Sequence, residues 1–74
     1  MSDSENLVRM ANNIAAFFNA DPDRDAAVAG VANHIRSFWE ARMKKAILAY
    51  DAQGGEGLDD LVRKALQVIA KEQA

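Results

Sequence analysis

The chain has 74 residues, half of them apolar, and it contains no Cys and one His, so disulfides and metal sites built from soft ligands are excluded. Its formal net charge of -2 argues against a general nucleic-acid binder, because such affinity depends on positive charge. No apolar run approaches the roughly 20 residues that cross a bilayer, and the acidic N-terminus lacks the layout of a signal peptide. We therefore expect a cytoplasmic protein.

The composition favours helix over strand throughout the chain. Ala is abundant, Thr is absent, and a single Pro and four Gly interrupt the sequence. The sequence predicts an all-α protein, a compact bundle of about four short helices in one domain of residues 1–74. A chain of this length buries only ~60% of the surface that its unfolded form exposes, so a partner chain is the expected source of added stability.

The first helix is predicted over about residues 4–19, with Ser2, Asp3 and Ser4 as candidate N-cap residues. Its apolar residues recur at spacings of three and four, and Phe17 lies on their flank. They are Leu7, Met10, Ala11, Ile14 and Phe18.

The second helix is predicted over about residues 22–38, with Asp21 as its cap and Pro22 at its first position. Its apolar face consists of Val28, Val31, Ala32, Ile35 and Trp39. Because Gly inside a helix costs ~1 kcal/mol relative to Ala, we expect Gly30 to lie beneath a bulky side chain.

The third and fourth helices are predicted over about residues 41–52 and 59–71. No Gly or Pro separates the second helix from the third, so a single kinked helix is an alternative. Between the third and fourth helices, a cluster of three Gly ends the preceding helix, and Asp59 and Asp60 open the next. The fourth helix carries a wide apolar stripe.

The densest cluster of aromatic and charged residues lies in the segment 33–43. Trp and Arg are enriched where interfaces lose the most affinity on truncation, and core packing is the alternative role for the aromatics. We interpret part of the segment as a partner-binding surface, with Trp39 as its anchor and Arg36 and Arg42 pairing with acids. The surface consists of His34, Arg36, Phe38, Trp39, Arg42 and Met43.

The sequence shows no set of residues typical of an enzyme active site, because its few hydroxyls and its single His lack partners at a catalytic spacing. Two alternatives to a subunit of a larger assembly stay open. The cluster Arg36, Arg42, Lys44 and Lys45 is compatible with a small helix-turn-helix DNA-binding regulator. The wide stripe of the fourth helix is compatible with a homodimer.

Three stretches of the sequence form a specific pattern: L-V-x-M-A-N-x-I-A-x-F-F over 7–18, V-A-x-H-I-R-x-F-W-E-x-R-M over 31–43, and G-G-x-G-L-D-x-L-V over 54–62. Together they resemble the delta subunit of NAD-dependent, molybdenum-containing formate dehydrogenases. The family pattern has Pro where this chain has Ala41. That Pro would start the third helix cleanly, so its replacement predicts a softer break.

The resemblance implies a non-catalytic accessory subunit that docks onto the large molybdenum-binding subunit and assembles or stabilises it. In that family the larger subunits carry bis-molybdopterin guanine dinucleotide, iron–sulfur clusters and FMN, and they oxidise formate to carbon dioxide while reducing NAD⁺. The delta chain itself carries no cofactor. It is expected to bind neither nucleic acid nor membrane, and it can self-associate when isolated.

Overall fold

A computed structural model describes residues 3–73 of the chain, which form four α-helices. They are α1 (Asp3–Phe18), α2 (Arg24–Phe38), α3 (Ala41–Ala52) and α4 (Asp60–Gln73). The predicted all-α class is thus confirmed. Within the described residues, none of the helices is both long and apolar enough to traverse a lipid bilayer.

The first helix begins earlier than the sequence predicts. Because α1 starts at Asp3, both Asp3 and Ser4 lie inside its first turn, where the acid complements the positive end of the helix. Ser2, the third candidate cap, lies outside the described residues. The helix ends at Phe18, just before the predicted boundary at residue 19.

The second helix begins later than predicted, so the assignment of Asp21 as cap and Pro22 as first helical residue is wrong. The N-cap is Asp23, whose side chain accepts a hydrogen bond from the backbone N–H of Ala26 at 3.2 Å. Asp21 instead accepts from the N–H of Asp23 at 2.9 Å, which holds the intervening Pro22 in a turn.

The second and third helices are separate, because the backbone of Trp39 and Glu40 is extended, with φ/ψ of -86°/138° and -66°/154°. The N–H of Trp39 still donates to the carbonyl of Ile35 at 3.1 Å. Lys44 Nζ reaches back to the carbonyl of Arg36 at 3.4 Å, a favourable cation at the helix C-terminus. The break therefore lies in the extended backbone of two residues and occurs without Gly or Pro.

The core is one cluster shared by all four helices, and α2 and α4 pack against each other most extensively. Its buried apolar side chains are Leu7, Ala11, Ala15, Ala27, Val31, Ala32, Ile35, Trp39, Ile47, Leu58, Leu61, Val62, Ala65, Leu66 and Ile69. The wide stripe of α4 is therefore covered within the chain, apart from Val68, which is 38% exposed. The feature that suggested a homodimer is buried internally.

Polar contacts fix the start of α4 against α1. The side chain of Asn12 donates to the carbonyl of Gly57 at 2.9 Å, and its Oδ1 accepts from the N–H of Asp59 at 2.9 Å. Asp59 in turn caps α4 by accepting from the N–H of Leu61 at 2.8 Å. One amide side chain thereby satisfies two groups of the loop that precedes α4.

Gly55 holds the connection between α3 and α4 in a conformation that other residues rarely adopt. Its φ is 61°, in the left-handed region that Gly tolerates. A Cβ there would lie 2.9 Å from Arg63 Nε and 3.0 Å from Asp51 Oδ1. These two groups form the ion pair that joins α3 to α4 at 2.9 Å, so Gly55 gives the pair its room.

The expectation for Gly30 is confirmed. The Phe18 ring of α1 lies directly against this residue, and a Cβ on Gly30 would overlap the ring. The missing side chain therefore allows α1 and α2 to approach closely at this point.

Candidate partner-binding surface

Phe38 and Trp39, neighbours in the sequence, lie in opposite environments. Trp39 is only 6% exposed and belongs to the core, whereas Phe38 is 74% exposed. The extended backbone at Trp39 turns its side chain inward where α2 stops. Binding of a partner through Trp39 stays a prediction, and one for which the folded chain offers little of that residue's surface.

Phe38 packs against a second ring on α2. Its ring stacks against that of His34 with centroids 4.8 Å apart and planes inclined by 41°. His34 is half-buried and lies one turn before Phe38, and Gly30 lies one turn before His34. These three residues therefore follow one face of α2.

On α1, a second pair of rings lies beside Gly30. The Phe18 ring that covers Gly30 meets the ring of Phe17 edge-on, with centroids 5.1 Å apart and planes at 89°. Phe17 is 75% exposed. Met10, which is 41% exposed, lies two turns earlier on the same side of α1. We call Met10, Phe17, His34 and Phe38 the aromatic face.

The aromatic face carries no carboxylate, ammonium or guanidinium group. On α1, the exposed or half-exposed residues one turn from Met10 or Phe17 are Asn6, Asn13 and Ile14. His34 is the one titratable member of the face. Beside the face, the guanidinium of Arg9 donates to Asn6 Oδ1 at 2.9 Å. Exposed rings with polar and charged groups at their edge are typical of a contact area that excludes water on association.

Arg36, expected to pair with an acid of the partner, pairs within the chain instead. Its guanidinium binds Glu72 of α4 in a bidentate manner, at 2.8 Å from Nε and 3.0 Å from Nη2. It also donates to the side chain of Asn33. The guanidinium that the sequence assigned to an interface therefore takes part in the contact between α2 and α4.

Arg42 and Met43 border a groove next to the aromatic face. Leu7, Met43 and Ala46 line the groove together with the polar residues Asp3, Asn6 and Arg42. Met43 is half-buried and packs against the core, while Arg42 is exposed. Arg42 takes part in neither of the ion pairs found among residues 3–73.

Of the six residues expected at the surface, the structure brings His34 and Phe38 together and places Arg42 with Met43 at the groove. It does not bring Trp39 or Arg36 to a free surface.

Sequence reasoning missed Phe17 as part of this surface. A signal was present, because two successive residues of a helix point about 100° apart and Phe17 and Phe18 cannot both face one core. Phe18 takes the inward position against Gly30 and leaves Phe17 outside.

The basic cluster that suggested DNA binding is partly engaged within the chain. Arg36 binds Glu72, and Lys44 binds the carbonyl at the end of α2. Among the described residues, no group of three or more His, Cys, Asp and Glu side chains is arranged to hold a metal ion.

Comparison with known proteins gives one family. The family model described as NADH-dependent formate dehydrogenase delta subunit FdsD matches residues 6–66, a span that includes α2 and α3 entirely and most of α1. No curated protein and no solved structure matches the chain.

Proposed function

Because the chain belongs to the delta-subunit family of NADH-dependent formate dehydrogenases, we propose that it is a non-catalytic accessory subunit of such an enzyme. Its role is to assemble or stabilise the large molybdenum-binding subunit, which oxidises formate to carbon dioxide. The observation that carries this proposal is the family match over residues 6–66. A subunit of this kind acts in the cytoplasm, beside the enzyme that it serves.

The geometry supports a role in binding. Phe17 and Phe38 are each about three-quarters exposed, although a small chain gains most by burying its aromatic rings. Large exposed apolar groups that lie together mark surfaces that another molecule covers. The aromatic face therefore supplies a contact area that the fold of the isolated chain leaves uncovered.

The chemistry of formate oxidation is assigned to the other subunits. We place bis-molybdopterin guanine dinucleotide, iron–sulfur clusters, FMN and the NAD site in those chains, as the family resemblance implies. The chain has no Cys to ligate a cluster. Its contribution is a surface, and the expected consequence of its loss is an incomplete or unstable enzyme.

The proposal is tested by purifying the enzyme from cells with and without the small chain. We expect the chain to copurify with the molybdenum-binding subunit. Without it, the formate-dependent reduction of NAD⁺ per unit of large subunit should fall, and re-expression of the chain should restore it. A chain that never copurifies, with formate oxidation unchanged in its absence, would rule the proposal out.

A further inference from the structure

We propose that the aromatic face receives an amphipathic helix of the molybdenum-binding subunit, with apolar side chains across Phe17 and Phe38 and an acidic side chain at Arg42. This inference rests on the proposed function, and it adds the docking surface and the chemistry of the segment that occupies it.

A helix fits the shape of this face. The short connection after Phe18 joins α1 and α2 as a helical hairpin, and the contact of Phe18 with Gly30 shows how closely the pair approaches. Two adjacent helices leave a groove along their line of contact, into which the side-chain ridge of a third helix packs. On the other side of α2 that position is already taken by α4.

The spacing of the rings sets the spacing of the partner's apolar residues. Gly30, where the ring of Phe18 and its neighbour Phe17 lie, is two helical turns from Phe38, about 12 Å at 1.5 Å per residue. A helix that follows the groove covers the same distance in two turns. Its apolar residues should therefore recur at positions i, i+3 or i+4, and i+7 or i+8.

The distribution of charged side chains in and beside the aromatic face indicates where the partner helix can carry charged residues. None of the four residues of the aromatic face carries a carboxylate, ammonium or guanidinium group, so a charged residue of the partner that packs against them would be buried without a counter-charge. Arg42 is exposed outside both ion pairs and shares its groove with Asn6, which lies one turn before Met10. Asp3 also lines that groove. The partner's acid should approach Arg42 at this end.

Site-specific photo-cross-linking within the assembled enzyme tests the helix. We would place a benzoylphenylalanine at Phe17 in one variant and at Phe38 in another, and map the attachment points by mass spectrometry. We expect each variant to attach within one segment of the molybdenum-binding subunit, at residues three or four apart. The attachment sites of the two variants should lie seven or eight residues apart in that segment. Attachment at alternate residues, as in a strand, or to a second copy of the chain would overturn the inference.

A binding titration with the purified molybdenum-binding subunit tests the surface. The double variant Phe17→Ser and Phe38→Ser should bind more than about 30-fold more weakly, since each ring has the character of a hot spot. The matched control is Val68→Ser, which alters an exposed apolar residue of α4 outside the face. Circular dichroism must show both variants folded.

The outcomes separate this inference from the function on which it rests. If the unaltered chain does not bind the subunit, the proposed function fails. If the unaltered chain binds and the double variant binds within about threefold of it, the aromatic face is not the docking surface.

Arg42→Glu should weaken binding about tenfold at low salt and less at high salt. Unchanged binding would contradict the acidic contact.

Discussion

The two sides of α2 differ in how completely the chain covers them. Val31 and Ile35 of α2 are fully buried, and on the side of α4 the bidentate pair of Arg36 with Glu72 closes the edge of the contact. On the side of α1, the Phe18 ring covers Gly30 while Phe17 stays outside, and His34 and Phe38 follow Gly30 at successive turns of α2.

This difference shows how a short chain distributes its apolar residues. The contact between α2 and α4 is the most extensive one in a core to which all four helices contribute. The contact between α1 and α2 brings two backbones together through a glycine and leaves two phenylalanines in solvent. The first contact lies within the core, and the exposed rings beside the second are available for association.

The largest expected effect separates Phe38 from Trp39. Trp39→Ala removes a buried side chain and should lower the free energy of unfolding by about 3–5 kcal/mol, which leaves so small a chain largely unfolded. Phe38→Ala removes an exposed ring and should change it by less than about 0.5 kcal/mol. Denaturation followed by circular dichroism measures both. Equal losses in the two variants would contradict the placement of these residues.

A smaller effect is expected at Gly30. Gly30→Ala forces a methyl group into the ring of Phe18, an overpacking that costs about 1–3 kcal/mol, against ~1 kcal/mol gained in helix propensity. The same change made together with Phe18→Leu should cost less, because the smaller side chain can yield. Urea denaturation of the four chains in this cycle gives the coupling between the two sites. Strict additivity would show that the ring does not rest on the glycine.

The ion pair of Arg36 and Glu72 should contribute less to the free energy of unfolding than either of these packing contacts. Their side chains are 34% and 51% exposed, so solvent screens the interaction despite its bidentate geometry. A double-mutant cycle with Arg36→Met and Glu72→Gln should give a coupling of about 0.5–1 kcal/mol. Near 1 M salt, where the Debye length is about 3 Å, this coupling should shrink. A coupling that persists unchanged there would indicate a less screened contact.

The smallest effect is a gain of about 0.5 kcal/mol in the free energy of unfolding from Ala41→Pro, the residue that the sequence resemblance implies at this position. Ala41 is the first residue of α3, and Glu40 before it already has the extended backbone that a following Pro favours. The matched control is Ala49→Pro in the interior of α3, which should cost about 3 kcal/mol. Thermal unfolding compares them. A loss of stability from Ala41→Pro would contradict the helix start.

The sequence was sufficient to predict the helices because apolar periodicity and Ala-rich composition act locally. The third helix begins and ends where its pattern predicts, at Ala41 and Ala52. The start of α2 was misplaced because Asp21 and Asp23 are both capping residues, and the hydrogen bond between them decides which one caps the helix.

The candidate surface could be predicted only in part because long-range contacts divide its residues. Nothing local indicates that Arg36 meets Glu72, since the two lie on different helices. The inward turn of Trp39 depends on where α2 stops, and that boundary has no Gly or Pro to mark it. Phe38 stays outside for the same reason. Partner binding by this segment stays a prediction, and the fold divides its residues between the core and the surface.

The most direct test of the central claim is hydrogen–deuterium exchange of the chain, alone and bound to the molybdenum-binding subunit. In the complex we expect slower exchange over residues 10–18 and 34–38, with little change over the exposed side of α4. Protection confined to α4, or none in a complex that has formed, would contradict a chain that completes its core on one side of α2 and docks through the other.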